Sequence, residues 1–261
     1  MYQLLDLLFP YALMVLAYMT ALFGVSILVK RNDVVDVGWG LGFILIASIS
    51  AWFGEGSVAG LLGTALVTLW GTRLALHIYL RNKDKGEDFR YKNWRDSWGK
   101  YFYVRSYFQI YILQGVLMFL ISLPVILSNL FYAEYSPVFL FIGLAVWILG
   151  FIFEAGGDYQ LSQFISDPKN KGRIMTSGLW SVTRHPNYFG EVTMWWGIFI
   201  LCMPSVFWGT MLASPLLITF LILRVSGIPM LEKKYEGNLE FEEYKKRVSA
   251  FIPWFPKKIK K

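Results

Sequence analysis

The stretch RIMTSGLWSVTRHPNYFGEVTMWW, residues 173–196, joins a polar, cationic loop to a segment that is apolar enough to enter a membrane. Pro186 suits the first turn of a helix, because its missing N–H would have no intrahelical partner there. Glu191 follows within the first turns of the same segment. Ionisable side chains inside a membrane are costly and are functional candidates by default. The stretch therefore predicts a helix start with a buried acid; the simpler alternative is a loop that only leads into a membrane helix.

The composition places this stretch in a multi-pass membrane protein. Of the 261 residues, 56% are hydrophobic and 16% are charged, whereas a soluble domain carries roughly 25% charged residues. The apolar residues fall in runs of about 20, the length that a bilayer requires. The sequence predicts an all-α fold of seven transmembrane helices in one domain, residues 1–261. The predicted spans are 8–29, 34–53, 57–80, 106–127, 137–157, 188–203 and 205–224.

The basic residues indicate the orientation of the spans. All 25 Lys and Arg except Arg73 lie in alternate connecting segments, those at or after the ends of the first, third, fifth and seventh spans. Because positive charge favours the cytosolic side, we expect the N-terminus outside and the C-terminus in the cytosol. Residues 225–261 are predicted to form a cytosolic amphipathic tail with Trp254 at the headgroup level. Residues 81–105 are predicted as a loop, either a lid over a ligand or a plain interfacial loop.

Several function classes are not favoured by the sequence. Cys202 is the single cysteine, and His77 and His185 are the two histidines, so an intramolecular disulfide is excluded and no metal site is predicted. The net charge of +7 lies in short loops and the tail as a topology signal, so no nucleic-acid partner is predicted. Neither G-x-G-x-x-G nor G-x-x-x-x-G-K-[ST] is present, so a soluble-type nucleotide domain is not indicated.

Eight ionisable side chains fall within the predicted spans or at their ends. In the predicted orientation all of them lie in the cytosolic half of the membrane, and most are spaced i,i+3 or i,i+4 on one helix face. We expect them to line one pocket that opens toward the cytosol; the alternative is separate charges that each reach the nearby interface. They are Asp33, Asp36, Arg73, His77, Glu154, Asp158, Glu191 and Arg224.

Cationic residues at the boundaries of this predicted pocket suit a cofactor that carries phosphate, because guanidinium groups pair bidentately with phosphate. Glu154, Asp158 and Glu191 can accept hydrogen bonds from ribose hydroxyls or from a carboxamide. The many Trp, Phe and Leu residues of the spans indicate a lipophilic small-molecule substrate that enters from the bilayer. The cationic residues are Arg81, Arg90, Lys171, Arg173 and Arg184.

A carbonyl group on such a substrate would need a proton donor. Asp33 or Asp36, near Tyr79 or His77, would provide one.

The C-terminal half carries motifs that are similar to those of a known family. They are Glu154-x3-Asp158, Arg173-Ile174-x3-Gly178-Leu179-Trp180, Asn187-Tyr188-Phe189-Gly190-Glu191 with Trp195, and Tyr244…Phe251-Ile252-Pro253. Over nearly its whole length the chain resembles the steroid 5α-reductase-like membrane oxidoreductases, in particular their bacterial relatives. The resemblance implies seven transmembrane helices, a bacterial inner membrane, and NADPH bound from the cytosolic side. It also implies hydride transfer to the β-carbon of an enone such as a Δ4-3-ketosteroid, with an acid and a tyrosine polarising the carbonyl.

The resemblance also implies roles for particular residues. The acid of the second span corresponds to Asp33 or Asp36, of which Asp36 lies deeper in the helix. The tyrosine of the third span has no unambiguous counterpart, because counting back from Arg81 leads to Ile78, between His77 and Tyr79. The implied cofactor-binding residues are Glu154, Asp158, Arg173, Asn187, Tyr188, Glu191, Trp195 and Arg224, and the candidate set is completed by Arg81, Arg90, Lys171, His185 and Tyr235.

The same region supports a rival hypothesis. The variant Arg184-His185-Pro186-Asn187-Tyr188-x-Gly190 also resembles sterol C14-reductases and isoprenylcysteine carboxyl methyltransferases. In the methyltransferases this region and the tail would bind S-adenosylmethionine, and the product would be a methyl ester. S-adenosylmethionine carries no phosphate, so the cationic residues favour NADPH. A third hypothesis, a lipid-binding or scaffold membrane protein, leaves the eight ionisable groups without a role.

Overall fold

The computed structural model describes residues 2–131 and 136–257. Within these ranges the regular elements are helices and there is no strand, so the predicted all-α class is confirmed for them. Pro137 and Pro186 each occupy the first turn of their helix, as their missing N–H groups favour. The helices are α1 Tyr2–Val29, α2 Val34–Phe53, α3 Val58–Asn82, α4 Phe89–Ile121, α5 Leu123–Leu130, α6 Pro137–Ser166, α7 Pro186–Cys202, α8 Trp208–Lys233 and α9 Leu239–Arg247.

Six of these helices are long and apolar enough to cross a membrane: α1, α2, α3, α4, α6 and α8. The chain is therefore a multi-pass integral membrane protein whose apolar helices contact lipid. Helix α7, at the position of the predicted sixth span, has 17 residues, and a full crossing needs about 20. Seven spans, an outside N-terminus and a cytosolic C-terminus stay predictions.

The predicted 81–105 loop is wrong for most of its length. Helix α4 begins at Phe89, well before the predicted start of the fourth span at residue 106. The charges of its first turns are paired with acids, Arg90 with Asp36 and Arg95 with Glu87. Hydropathy assigns charged residues to loops, so the charges of this segment predict a loop where the structure has a helix.

The chain divides into two compact units. Unit 1 comprises Met1–Tyr135 and Ser205–Ala213, and unit 2 comprises Ser136–Pro204 and Ser214–Lys261. The predicted ionisable groups accordingly fall into two sets, one in each unit.

Helices α2 and α3 of unit 1 are held by close backbone approach and by a buried polar network. A Cβ atom on Gly40 would lie 2.5 Å from the carbonyl oxygen of Gly71, so these glycines allow the two backbones to approach. The buried Asn129 amide donates to Ser50 Oγ at 2.9 Å and to Thr64 Oγ1 at 3.0 Å. Inside a bilayer such groups must find partners within the protein, so the network fixes α5 against α2 and α3.

Helices α6 and α7 of unit 2 cross along a line of glycines. Gly143 and Gly150 are one heptad apart on α6, and Gly197 and Gly190 face them on α7. A Cβ on Gly150 would lie 2.6 Å from the Gly190 carbonyl oxygen, and one on Gly143 would lie 2.7 Å from that of Gly197. Small residues at such crossings let membrane helices pack by backbone contact.

We expect Gly150→Ala to destabilise unit 2 by about 1–3 kcal/mol, because the added methyl group forces the two backbones apart. The matched control is Gly24→Ala in α1, where no atom of residues 2–131 or 136–257 lies within 4 Å of the added atom and alanine is the better helix former. The measurement is the temperature at which the purified protein loses its monodisperse gel-filtration peak in detergent. An equal temperature for the two variants would contradict the close crossing.

Candidate functional site

Asp36, in the first turn of α2, is held by two side chains from the start of α4. The Tyr91 hydroxyl donates to Oδ1 at 2.5 Å, and the Arg90 guanidinium pairs with Oδ2 at 2.7 Å. Tyr91 is 2% exposed, and the Asp36 side chain is 14% exposed. A buried carboxylate needs a cation and hydrogen-bond donors to remain ionised, and this trio provides both. Asp36, Arg90 and Tyr91 therefore form a preorganised polar centre within unit 1.

Asp88 fixes the position of Arg90. Its carboxylate caps α4 by accepting from the Arg90 backbone N–H at 2.9 Å, and it also accepts from Arg90 Nε at 2.9 Å. Burial raises the pKa of Asp88, but the hydrogen bonds from Arg90 and the Arg90 charge together outweigh burial, so the pKa lies below its ordinary value. Asp88 therefore stays ionised and positions the guanidinium for Asp36.

Asp33, the other acid indicated by the sequence, has a structural partner. It is buried and accepts from Arg31 Nε at 3.0 Å and from a terminal Arg31 nitrogen at 2.7 Å. Arg31 also donates to the Lys85 carbonyl oxygen at 2.9 Å, and its pKa is raised chiefly by the hydrogen bond to Asp33. This pair ties the turn between α1 and α2 to the connection between α3 and α4.

The tyrosine that contacts Asp36 is not one that the sequence indicated. Tyr79 is 55% exposed near the end of α3, and His77 is partly buried. Tyr91 lies in the segment that hydropathy predicts to be a loop, so the sequence analysis did not indicate it as a site residue. The available signal was the run Asp88-Phe89-Arg90-Tyr91, which alternates charged and aromatic residues.

Unit 2 brings a second set of predicted residues together where α6 meets the start of α7. Glu154 and Asp158 are buried on α6, at 3% and 9% exposure. The Asn187 amide donates to Asp158 Oδ1 at 3.2 Å, and Gly190 faces Glu154 closely. Asn187 Oδ1 is buried and has no hydrogen-bond partner in residues 2–131 and 136–257. Glu191 follows one turn later and is partly buried.

Arg184, expected in the phosphate-binding set, instead holds the C-terminal tail. Its Nε donates to Glu232 Oε1 at 2.9 Å, and its NH1 donates to the Val248 carbonyl oxygen at 2.6 Å. Its backbone N–H donates to the Ser249 carbonyl oxygen at 2.8 Å. Arg184 is 8% exposed, so its guanidinium is committed to these partners. The expectation that it faces a phosphate is corrected accordingly.

His185 shares Glu232 with Arg184, its Nε2 lying 3.0 Å from Oε1. Burial lowers the pKa of His185 more strongly than the hydrogen bond to Glu232 raises it, so the imidazole is neutral at pH 7 and donates from Nε2. Its Nδ1 is buried and has no hydrogen-bond partner in the described part of the chain. The ring stacks on Tyr188, with centroids 5.5 Å apart.

The remaining candidates are divided between surface and core. Trp195 is 1% exposed within α7, and Tyr235 stacks on Phe241 with centroids 4.9 Å apart. Arg81 is exposed and donates to Asn82 Oδ1. Three exposed cations of unit 2 form no ion pair within the described ranges, namely Lys171, Arg173 and Arg224.

The chain is therefore an all-α, multi-pass membrane protein. Each of its two units contains a set of buried polar side chains carried by its apolar helices. The chain belongs to the DUF1295 family, a family of proteins of unknown function, whose family model matches residues 22–248. It matches no curated protein and no solved structure. Both the Asp36 centre and the Asp158–Asn187 set lie inside the matched range.

Proposed function

We propose that the protein is an NADPH-dependent reductase of the C=C bond in a lipophilic enone, with a Δ4-3-ketosteroid as the leading substrate type. The observation that carries the proposal is the buried centre of Asp36, Tyr91 and Arg90. Reduction of an enone places negative charge on the carbonyl oxygen, and preorganised donors beside that oxygen are an effective way to stabilise it. The surrounding apolar helices suit a substrate that is drawn from the bilayer.

Tyr91, Arg90 and Asp88 have distinct tasks in this reaction. Tyr91 would turn its hydroxyl hydrogen from Asp36 to the carbonyl oxygen of the substrate. Arg90 would offset the negative charge of Asp36 and of the developing enolate, and Asp88 would hold Arg90 in place. Bound NADPH would supply the hydride to the β-carbon. A proton taken up at the α-carbon would complete the saturated ketone.

The residues present in unit 2 fit a nicotinamide dinucleotide. Asn187 Oδ1 and His185 Nδ1 are buried acceptors with no hydrogen-bond partner in the described residues, and the ribose hydroxyls and the carboxamide N–H groups of NADPH are donors. Asp158 offers a further acceptor beside Asn187. Exposed cations such as Arg173 and Arg224 would meet the phosphates. These residues would bind and orient the cofactor.

The proposed function is tested by measuring which cofactor stabilises the purified protein. NADPH, NADH or S-adenosylmethionine would be added to the detergent-solubilised chain, and the melting temperature would be recorded. We expect NADPH to raise it, since a ligand at 100 times its Kd stabilises the folded state by about 2.7 kcal/mol. Stabilisation by S-adenosylmethionine, with no effect of NADPH, would refute the reductase hypothesis and favour the methyltransferase hypothesis.

We expect Glu191→Gln and Arg173→Ala each to weaken NADPH binding by about tenfold or more, the effect of losing one charge-assisted hydrogen bond. Both variants should remain folded in detergent, because Arg173 is exposed and glutamine keeps the shape of Glu191. Lys169→Ala, an exposed cation near Arg173, is the matched control and should bind normally. Unchanged NADPH affinity in both variants would remove the cofactor assignment.

A further inference from the structure

The C-terminal tail forms a cationic recess next to α9. The recess has a volume of about 480 Å³ and is lined by residues from α9 and the tail together with Arg184. Among the residues that the structure describes, no acid lines the recess, so the charge of its described lining is entirely positive. The cations are Arg184, Lys245, Lys246, Arg247 and Lys257.

Two of these cations have no ion-pair partner among the described residues. Lys245 and Lys246 pair with acids one turn earlier on α9, at 3.1 and 3.0 Å, and Arg184 pairs with Glu232. Arg247 and Lys257 are exposed and form no ion pair within the described part of the chain. They are neighbours, because the Lys257 backbone N–H donates to the Arg247 carbonyl oxygen at 2.9 Å. The recess therefore presents two free cations to an anionic ligand.

Large apolar side chains stand exposed beside these cations. Ile252, Trp254 and Phe255 line the recess and are 65%, 71% and 82% exposed. The segment is nevertheless fixed, since the Trp254 N–H donates to the Val182 carbonyl oxygen at 2.9 Å and Thr183 Oγ1 donates to the Phe251 carbonyl oxygen at 2.9 Å. Exposed aromatic rings next to basic residues are typical of a surface that lies at the headgroup level.

We propose that this recess binds the phosphate headgroup of an anionic phospholipid, with phosphatidylglycerol as the representative ligand. Arg247 and Lys257 contact the phosphate, and Ile252, Trp254 and Phe255 lie at the boundary of the acyl chains. Clusters of Lys and Arg on an amphipathic helix at a membrane surface attract anionic lipids in this way. The recess does not include Asp158 or Asn187, so the lipid site is separate from the proposed nucleotide-binding residues.

The test measures displacement of a fluorescent phosphatidylglycerol from the full-length protein in detergent. Unlabelled phosphatidylglycerol, phosphatidylcholine and glycerol 3-phosphate serve as competitors. We expect phosphatidylglycerol to compete at least tenfold better than either of the others. Equal competition by phosphatidylcholine would overturn the site, and equal competition by glycerol 3-phosphate would show a soluble phosphate ligand in place of a lipid.

Two double variants make the test specific. Arg247→Ala with Lys257→Ala should weaken the binding of phosphatidylglycerol by about 30-fold, roughly fivefold for each surface cation. Lys83→Ala with Lys169→Ala removes the same charge from exposed positions outside the recess and should change it less than twofold. Similar losses in the two double variants would overturn the proposal.

The affinity for NADPH, measured on the same samples, separates this inference from the proposed function. It should be unchanged by the recess variant. A parallel loss of NADPH and lipid binding would assign the recess to the nucleotide and overturn the lipid site. A protein that binds phosphatidylglycerol but no NADPH would leave the lipid site standing and refute the reductase.

Discussion

Tyr91→Phe is expected to reduce the rate of NADPH-dependent enone reduction by about 100-fold or more, the effect of removing one donor to a developing oxyanion. The phenylalanine ring keeps the buried packing of the tyrosine, which is 2% exposed. What is lost is the hydroxyl that lies 2.5 Å from Asp36 Oδ1. The rate would be followed as the fall in NADPH absorbance with a Δ4-3-ketosteroid in detergent micelles.

The matched control for this prediction is Tyr79→Phe. Tyr79 is 55% exposed and is the tyrosine that the sequence indicated. The Tyr79→Phe variant removes the same hydroxyl group. Its reduction rate should stay within a factor of about two of the parent rate, because this hydroxyl makes no contact in the proposed transition state. Asp36→Asn should lower the rate as Tyr91→Phe does, because the amide no longer balances Arg90. NADPH affinity should persist in both active-centre variants. A normal rate for Tyr91→Phe together with a large loss for Tyr79→Phe would show that Tyr79, in the third span, donates to the substrate carbonyl in place of Tyr91.

The membrane helices could be predicted from the sequence because the signal for a span is local. A continuous apolar run of the right length needs no knowledge of distant residues. The predicted span 34–53 coincides with Val34–Phe53, and 57–80 differs little from Val58–Asn82. The predicted sixth span, 188–203, is the shortest of the seven, and the corresponding helix, Pro186–Cys202, is also short for a crossing.

The start of α4 could not be predicted because its charges are neutralised by residues far along the chain. Arg90 pairs with Asp36, and Tyr91 reaches the same carboxylate across 55 positions of sequence. Spacing along one helix reports only neighbours three or four residues apart. Charge and hydropathy therefore predict a loop for residues 81–105, although the segment contributes two of the three side chains of the polar centre in unit 1.

In the candidate site, too, the sequence predicts individual residues but not the contacts between residues that are distant along the chain. The sequence indicates Asp158 as an ionisable group at the end of a predicted span, and the family resemblance indicates Asn187. The structure joins the two side chains directly. Glu232 was read only as one charge of an amphipathic tail, yet it is the common partner of Arg184 and His185, 48 and 47 positions earlier. Sequence could identify the buried ionisable groups, and only the fold could say which of them satisfy one another.

Arg184→Ala is expected to destabilise the protein by about 3 kcal/mol, because breaking a buried ion pair leaves its partner uncompensated. Glu232 would retain only the neutral His185, and the Val248 carbonyl oxygen would lose its donor at 2.6 Å. The tail should then detach from the loop before α7. Two measurements follow this: the melting temperature in detergent, and the rate of tryptic cleavage after Arg247.

The control variants separate a structural clamp from a surface charge. Arg184→Lys keeps the charge for Glu232 but cannot reach Glu232 and the Val248 carbonyl together, since lysine lacks the planar fork of arginine. Its stability should fall between those of the parent protein and Arg184→Ala. Lys169→Ala removes an exposed cation from the same unit and should leave both measurements unchanged. If Arg184→Ala behaved like Lys169→Ala, the guanidinium would not hold the tail, and Arg184 would return to the set of cations available for a phosphate.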